Sequence, residues 1–152
     1  MRIRYTDDGQ LITANCFSGG IFDMDLGLQD AKVFVAASSG GLGRAAARQF
    51  SLEGAQIAVN GRDAESLAAT AQAIRAETGG TVLALPGDVT DPDSVRAMIE
   101  RAAQEFGGLD VLVTNAGGPP SGSFDTVAPG AWEQAFQLTF MSTVNMIQAA
   151  LP

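Results

Sequence analysis

From residue 32 onward, short apolar runs alternate with longer amphipathic stretches. Residues 32–37, 55–60, 81–85 and 109–114 are almost continuously apolar, the pattern of strands buried on both faces. Between them lie helical segments with recognisable ends. An Ala-rich stretch at residues 43–53 stops at Gly54. Asp63 predicts an N-cap for a helix running to about Glu77, with Gly79 and Gly80 as its stop. Asp91 caps the next helix, and Pro92 stands at its first position, where a missing N–H is harmless. That helix ends at Gly107 and Gly108, and a long last helix is expected over residues 132–151. Strands alternating with helices of this length predict right-handed βαβ units on a parallel sheet.

Residues 1–23 depart from that pattern. Ile3, Tyr5, Leu11 and Ile12 flank Asp7-Asp8-Gly9-Gln10, which reads as a short hairpin. The segment is expected to be an N-terminal extension without chemistry, and residues 24–152 the domain proper. Trp132, Phe136, Phe140, Val144 and Ile147 cover more than one face of the last helix. Such a helix is expected to be buried on two sides, against the sheet and against a second subunit of a homo-oligomer.

Composition narrows the function. The chain has 152 residues, 46% hydrophobic and 17% charged, as a folded domain should. Its net charge of −8 opposes nucleic acid and anionic membranes, so neither is an expected partner. Any bound phosphate must be held by a local site. Histidine is absent, which excludes imidazole catalysis and His-ligated metals. A single cysteine, Cys16, forms no internal disulfide, and a cytoplasmic location is expected. No targeting run and no stretch of about 18 apolar residues is visible.

The candidate chemistry begins after the first strand, at Ala36-Ala37-Ser38-Ser39-Gly40-Gly41-Leu42-Gly43. Glycines let a backbone approach a pyrophosphate, a helix N-terminus offers N–H groups, and Ser38 and Ser39 add hydroxyl donors. A Gly cluster alone is equally a tight turn with close packing; the strand–turn–helix context favours the phosphate reading. At the end of the second strand an acidic residue would pair with a free ribose 2′-hydroxyl. Asn60-Gly61-Arg62 stands there instead. Arg62 suits a 2′-phosphate, or is a solvated side chain paired to Asp63 or Glu65. The missing carboxylate favours NADP over NAD.

Together with Gly87-Asp88-Val89 and Asn115-Ala116-Gly117, this turn resembles the short-chain dehydrogenase/reductase family, including its 3-oxoacyl-carrier-protein reductases. The resemblance spans about residues 26–152. It implies an α/β Rossmann-type doubly wound sheet of strand order 3-2-1-4, truncated after the fourth strand and following helix, with residues 111–114 as an open apolar edge. It also implies a dinucleotide site at Ala37, Ser38, Ser39, Gly41, Leu42, Gly43, Arg62, Asp88, Val89, Asn115, Ala116 and Gly117. Asp88 would bond the adenine amine, Val89 pack on the ring, Asn115 brace the central strands, and Ala116-Gly117 pass near the ribose.

Three departures limit the resemblance. Ala36-Ala37 replaces the family's Thr-Gly, and Ala37 is expected to keep the turn only at negative φ. Thr139 stands at the position of the family's relay Asn, and a hydroxyl cannot present both an amide donor and a carbonyl. The family's catalytic Ser and its Tyr-x-x-x-Lys have no counterpart: Tyr5 is the only tyrosine and Lys32 the only lysine. Reduction of a carbonyl needs an acid for its oxygen. The leading expectation is therefore the cofactor-binding part of an NADP-dependent oxidoreductase acting on a carbonyl or secondary alcohol, itself inactive. Its alternatives are a non-catalytic dinucleotide-binding sensor or interaction module, and a fragment that assembles with a separate piece.

Overall fold

A computed structural model describes residues 26–118 and 121–151. The hairpin expected within residues 1–23 lies outside them. Four parallel strands, β1 (Lys32–Val35), β2 (Gln56–Gly61), β3 (Val82–Pro86) and β4 (Val111–Val113), form one sheet in the order β3-β2-β1-β4. Phe34 sits at its centre, opposite Ala58 of β2 and Leu112 of β4. The outer edge of β4 is unpaired among the described residues. Its side chains are nonetheless half-buried, so the openness expected there concerns the backbone rather than the faces.

Alternation along the strands sends side chains into two cores. Val33, Val35, Ile57 and Val59 pack with Ala47 of α1 (Gly41–Leu52) and with Leu67 and Ile74 of α2 (Ala64–Thr78). Phe34 and Ala58 pack on the opposite face with Val95, Met98 and Ile99 of α3 (Pro92–Phe106). Coverage of both faces explains why the strands read as unbroken apolar runs.

The helix ends follow local chemistry. Asp63 accepts from the Ser66 N–H at 2.7 Å and Asp91 from the Asp93 N–H at 3.0 Å. Gly79 and Gly107 close α2 and α3 in the left-handed conformation, φ 70° and 75°, where a side chain is penalised. The first helix begins at Gly41 rather than at residue 43. Gly40 is extended before it, and the Arg44 N–H reaches the Gly40 carbonyl at 3.1 Å.

The single long last helix is a correction. It is α4 (Pro129–Phe136), a π-helical turn (Gln137–Met141) and α5 (Ser142–Ala150). Hydroxyls reach back one turn around the break: Thr139 to Ala135 O at 2.6 Å, Ser142 to Leu138 O at 2.5 Å, and Thr143 to Thr139 O at 3.1 Å. Such back-bonding satisfies carbonyls that a widened turn frees and bends helices. Met146 of α5 fills the second core beside α3, as expected for the sheet side. The other face is not covered by the described residues: Trp132 and Phe140 are 50% and 56% exposed. No described helix is long and apolar enough to cross a membrane.

Candidate functional site: a cleft at the strand ends

Because all four strands run the same way, their C-terminal ends and the turns beyond them gather on one edge. β1 lies between strands that lead off in opposite directions, the place where open α/β sheets form ligand crevices. A cleft of about 290 Å³ opens there, lined by Ala37, Ser39 and Gly40 after β1, Arg62 after β2, Asp88 and Val89 after β3, and Gly117 after β4. A second hollow of about 310 Å³ adjoins it between Arg62, Asp88, Thr90 and the α4 residues Glu133 and Gln134. Arg62, Asp88 and Leu138 line both.

The turn after β1 is held from several sides. Its Ala37 N–H donates to Asn60 Oδ1 at 3.1 Å, and its carbonyl accepts from Asn115 Nδ2 at 3.1 Å. Asn115 Nδ2 also donates to Ala36 O at 3.3 Å. Gly43 packs directly beneath: a Cβ there would stand 2.4 Å from the Ala37 oxygen and 2.9 Å from Ser38 Cα. Glycine is therefore required for α1 to approach the turn.

Two expectations about this turn are overturned. Ala37 has φ +45°, not negative. The two amides gripping its peptide hold it in a region costing an alanine about 1–2 kcal/mol. Ser38 donates nothing outward: it is fully buried, its hydroxyl gives a hydrogen bond to Val35 O at 2.7 Å and takes one from the Asn60 N–H at 2.9 Å. Ser39 does line the cleft, while its carbonyl accepts from Thr70 Oγ1 at 2.8 Å.

Among the described residues the N-terminus of α1 receives no side-chain cap, unlike those of α2 and α3. Its first N–H groups therefore remain as donors, together with the positive end of the helix dipole, beside Ser39 and Gly40. Arg62 is exposed and pairs with neither Asp63 nor Glu65. Asp88 accepts from the Thr90 N–H at 2.9 Å and the Thr90 hydroxyl at 2.8 Å, both on Oδ1. The backbone bond chiefly, then the hydroxyl and the Arg62 charge, hold its carboxyl below the usual carboxylate range against the opposing effect of partial burial.

A glycine turn lining a cleft at the switch point, a helix start without a side-chain cap and the exposed Arg62 guanidinium beside Asp88 fit a dinucleotide phosphate group. A sequence model described as short chain dehydrogenase matches residues 31–152. The chain belongs to the short-chain dehydrogenase family.

Relatives in that family agree with the architecture. The chain is 36% identical over 129 residues to an uncharacterized oxidoreductase, YvrD, of Bacillus subtilis, covering 85% of this chain and 48% of that protein. It is 41% identical over 86 residues to a glucose 1-dehydrogenase of Gluconobacter oxydans, covering 57% of this chain and 32% of the relative. L-sorbose reductase of Gluconobacter frateurii, solved with NADPH and L-sorbose, superposes with a TM-score of 0.77 at 31% identity, over 84% of this chain and 48% of that one. A short chain dehydrogenase of Burkholderia cenocepacia in complex with NADP gives 0.75 at 33% identity, over 81% and 50%. The chain thus spans about half the length of several of the relatives it matches.

Among the positions that the family resemblance singled out, Ala37, Ser39, Arg62, Asp88, Val89 and Gly117 meet at the cleft. Gly43 and Asn115 shape it from behind. Gly41 and Leu42 start α1, with Leu42 85% exposed, and Ala116 precedes the lining Gly117. Thr139 is exposed in the π-helical turn, its hydroxyl committed to Ala135 O. Gly40, Asn60, Gly87 and Leu138 also line the cleft. The signal for Asn60 was an amide closing an otherwise apolar strand; Leu138, in the π-helical turn, carried none.

Proposed function

We propose that this chain binds NADP as the cofactor-binding portion of an oxidoreductase that moves a hydride between the nicotinamide and a carbonyl or secondary alcohol. The carrying observation is that one cleft is lined by the glycine turn at an uncapped helix, by Arg62 and by the ionised Asp88. The N–H groups of Gly41, Leu42 and Gly43, with Ser39, take the pyrophosphate. Arg62 takes the 2′-phosphate. Asp88 accepts from the adenine amine, Val89 packs on the ring, and Ala116-Gly117 border the ribose.

NADP is preferred to NAD because β2 is followed by Gly61-Arg62 and not by a carboxylate. The relatives solved with NADPH and with NADP support that choice. The bound cofactor supplies the hydride, while this chain's residues bind and orient it. The sequence offers them no Tyr-x-x-x-Lys pair for the proton, and Lys32 opens β1, at the end of the sheet away from the cleft. Binding without turnover is therefore the activity assigned to these 152 residues. Titration of the purified chain with NADPH and NADH, followed by nicotinamide fluorescence, tests it. Saturable binding with NADPH the tighter ligand is expected; no response to either sinks the reading.

A further inference from the structure

We propose that Asn60 is a positioning residue of the cleft: its buried amide clamps the phosphate turn to the Asp88 loop and restrains Ala37 in its left-handed conformation. The consequence for cofactor affinity rests on the reading above; the clamp itself does not.

Asn60 is 1% exposed at the end of β2. Toward β1, its Oδ1 accepts from the Ala37 N–H at 3.1 Å, and its carbonyl accepts from the Ser38 N–H at 2.7 Å. Toward β3, its Nδ2 donates to Leu85 O and Gly87 O, both at 3.1 Å, with the Met98 sulfur at 3.0 Å. Ala37 and Gly87 both line the cleft, beyond strands that flank β2 on either side. One side chain therefore sets how far apart those two walls stand.

The residue type follows from the partners. Position 60 needs an acceptor on one side and a donor on the other, within the reach of one methylene. An aspartate accepts from Ala37 but cannot donate to two carbonyls, and an apolar residue does neither. Ala37 supplies the reason for a clamp. A non-glycine residue at φ +45° persists only where its surroundings over-determine it. Asn60 holds its N–H and Asn115 its carbonyl.

The test uses the full 152-residue chain and begins without cofactor. Amide hydrogen exchange should protect the Ala37 N–H as well as the Ala36 N–H, which bonds Val113 O at 3.0 Å; exchange at the rate of an exposed turn overturns the proposal. Urea unfolding then compares Asn60→Ser with the native side chain, in the native chain and in the Ala37→Gly background. The fall in midpoint should shrink by at least half once glycine removes the strain. Equal falls in both backgrounds mean a generic core role and overturn the clamp. Should Asn60→Ser fail to fold in either background, the exchange measurement decides by itself. With NADPH, Asn60→Ser should weaken binding about tenfold or more, and Ala37→Gly should recover part of that loss. A native chain that ignores NADPH overturns the cofactor reading while the exchange and unfolding results still judge the clamp.

Discussion

Thr90 gives both its backbone N–H and its hydroxyl to the same carboxylate oxygen of Asp88, at 2.9 and 2.8 Å. This fixes the carboxylate plane and leaves Oδ2 without a hydrogen bond among the described residues. Since these bonds lower the folded pKa, their stabilisation is complete above the unfolded value of about 3.9 and is lost as pH falls through the folded one. Asp88→Asn should cost about 1 kcal/mol near neutrality, the low end for bonds to a charged group because solvent screens it. The gap should narrow below about pH 4. Urea midpoints of both proteins across that range give the check.

Gly43→Ala should destabilise the chain by about 2–3 kcal/mol, because the new methyl meets backbone, which cannot swing away, as well as the Asn115 amide. The Ala37 oxygen at 2.4 Å and Ser38 Cα at 2.9 Å would push α1 off the turn. Thermal or urea unfolding reads the loss, and NADPH affinity should fall with it.

Ala37→Gly should go the other way. Relief of the left-handed strain, less the entropy of a freer unfolded chain, predicts a gain of about 0.5–1 kcal/mol. A destabilised variant would mean that Ala37 does not occupy positive φ in solution.

Arg62→Ala should weaken NADPH binding about tenfold, near 1.4 kcal/mol, and leave NADH affinity almost unchanged. Paired titrations at low and moderate salt test this, since an exposed charge is screened. An unchanged preference between the two dinucleotides removes the basis for choosing NADP.

Beyond the cleft, Phe136 and Phe140 stack with centroids 5.1 Å apart, and Phe124 lies 5.7 Å from Trp132. These rings are 48% or more exposed, so the homo-oligomer expected from the last helix remains a proposal resting on this face. Sedimentation velocity should show concentration-dependent association that Phe136→Ser with Phe140→Ser reduces. A monomer at all concentrations rejects it.

What the sequence made legible was what neighbours along the chain decide. Asp63, Asp91, Gly79 and Gly107 mark helix ends because caps act within one turn, and continuous apolar runs mark strands covered on both faces. The four-strand order followed from family resemblance at the three turns. What escaped depends on groups meeting across the sheet. Ser38 looks outward on paper, yet it turns inward to Val35 and Asn60. The positive φ of Ala37 is imposed by amides 23 and 78 positions away, beyond any local rule. The break at Gln137–Met141 interrupts a segment whose composition reads as uninterrupted helix.

The uncapped start of α1 also bears on folding. Its sister helices α2 and α3 are completed by their own aspartates, so they carry their full stability wherever the chain folds. On the reading proposed above, the first helix is instead completed by the phosphates of its dinucleotide. Stability and ligand concentration are then linked, rising as RT ln(1 + [L]/Kd). Inside a cell, the abundance of this protein would follow the supply of its ligand, with degradation clearing the copies that stay empty.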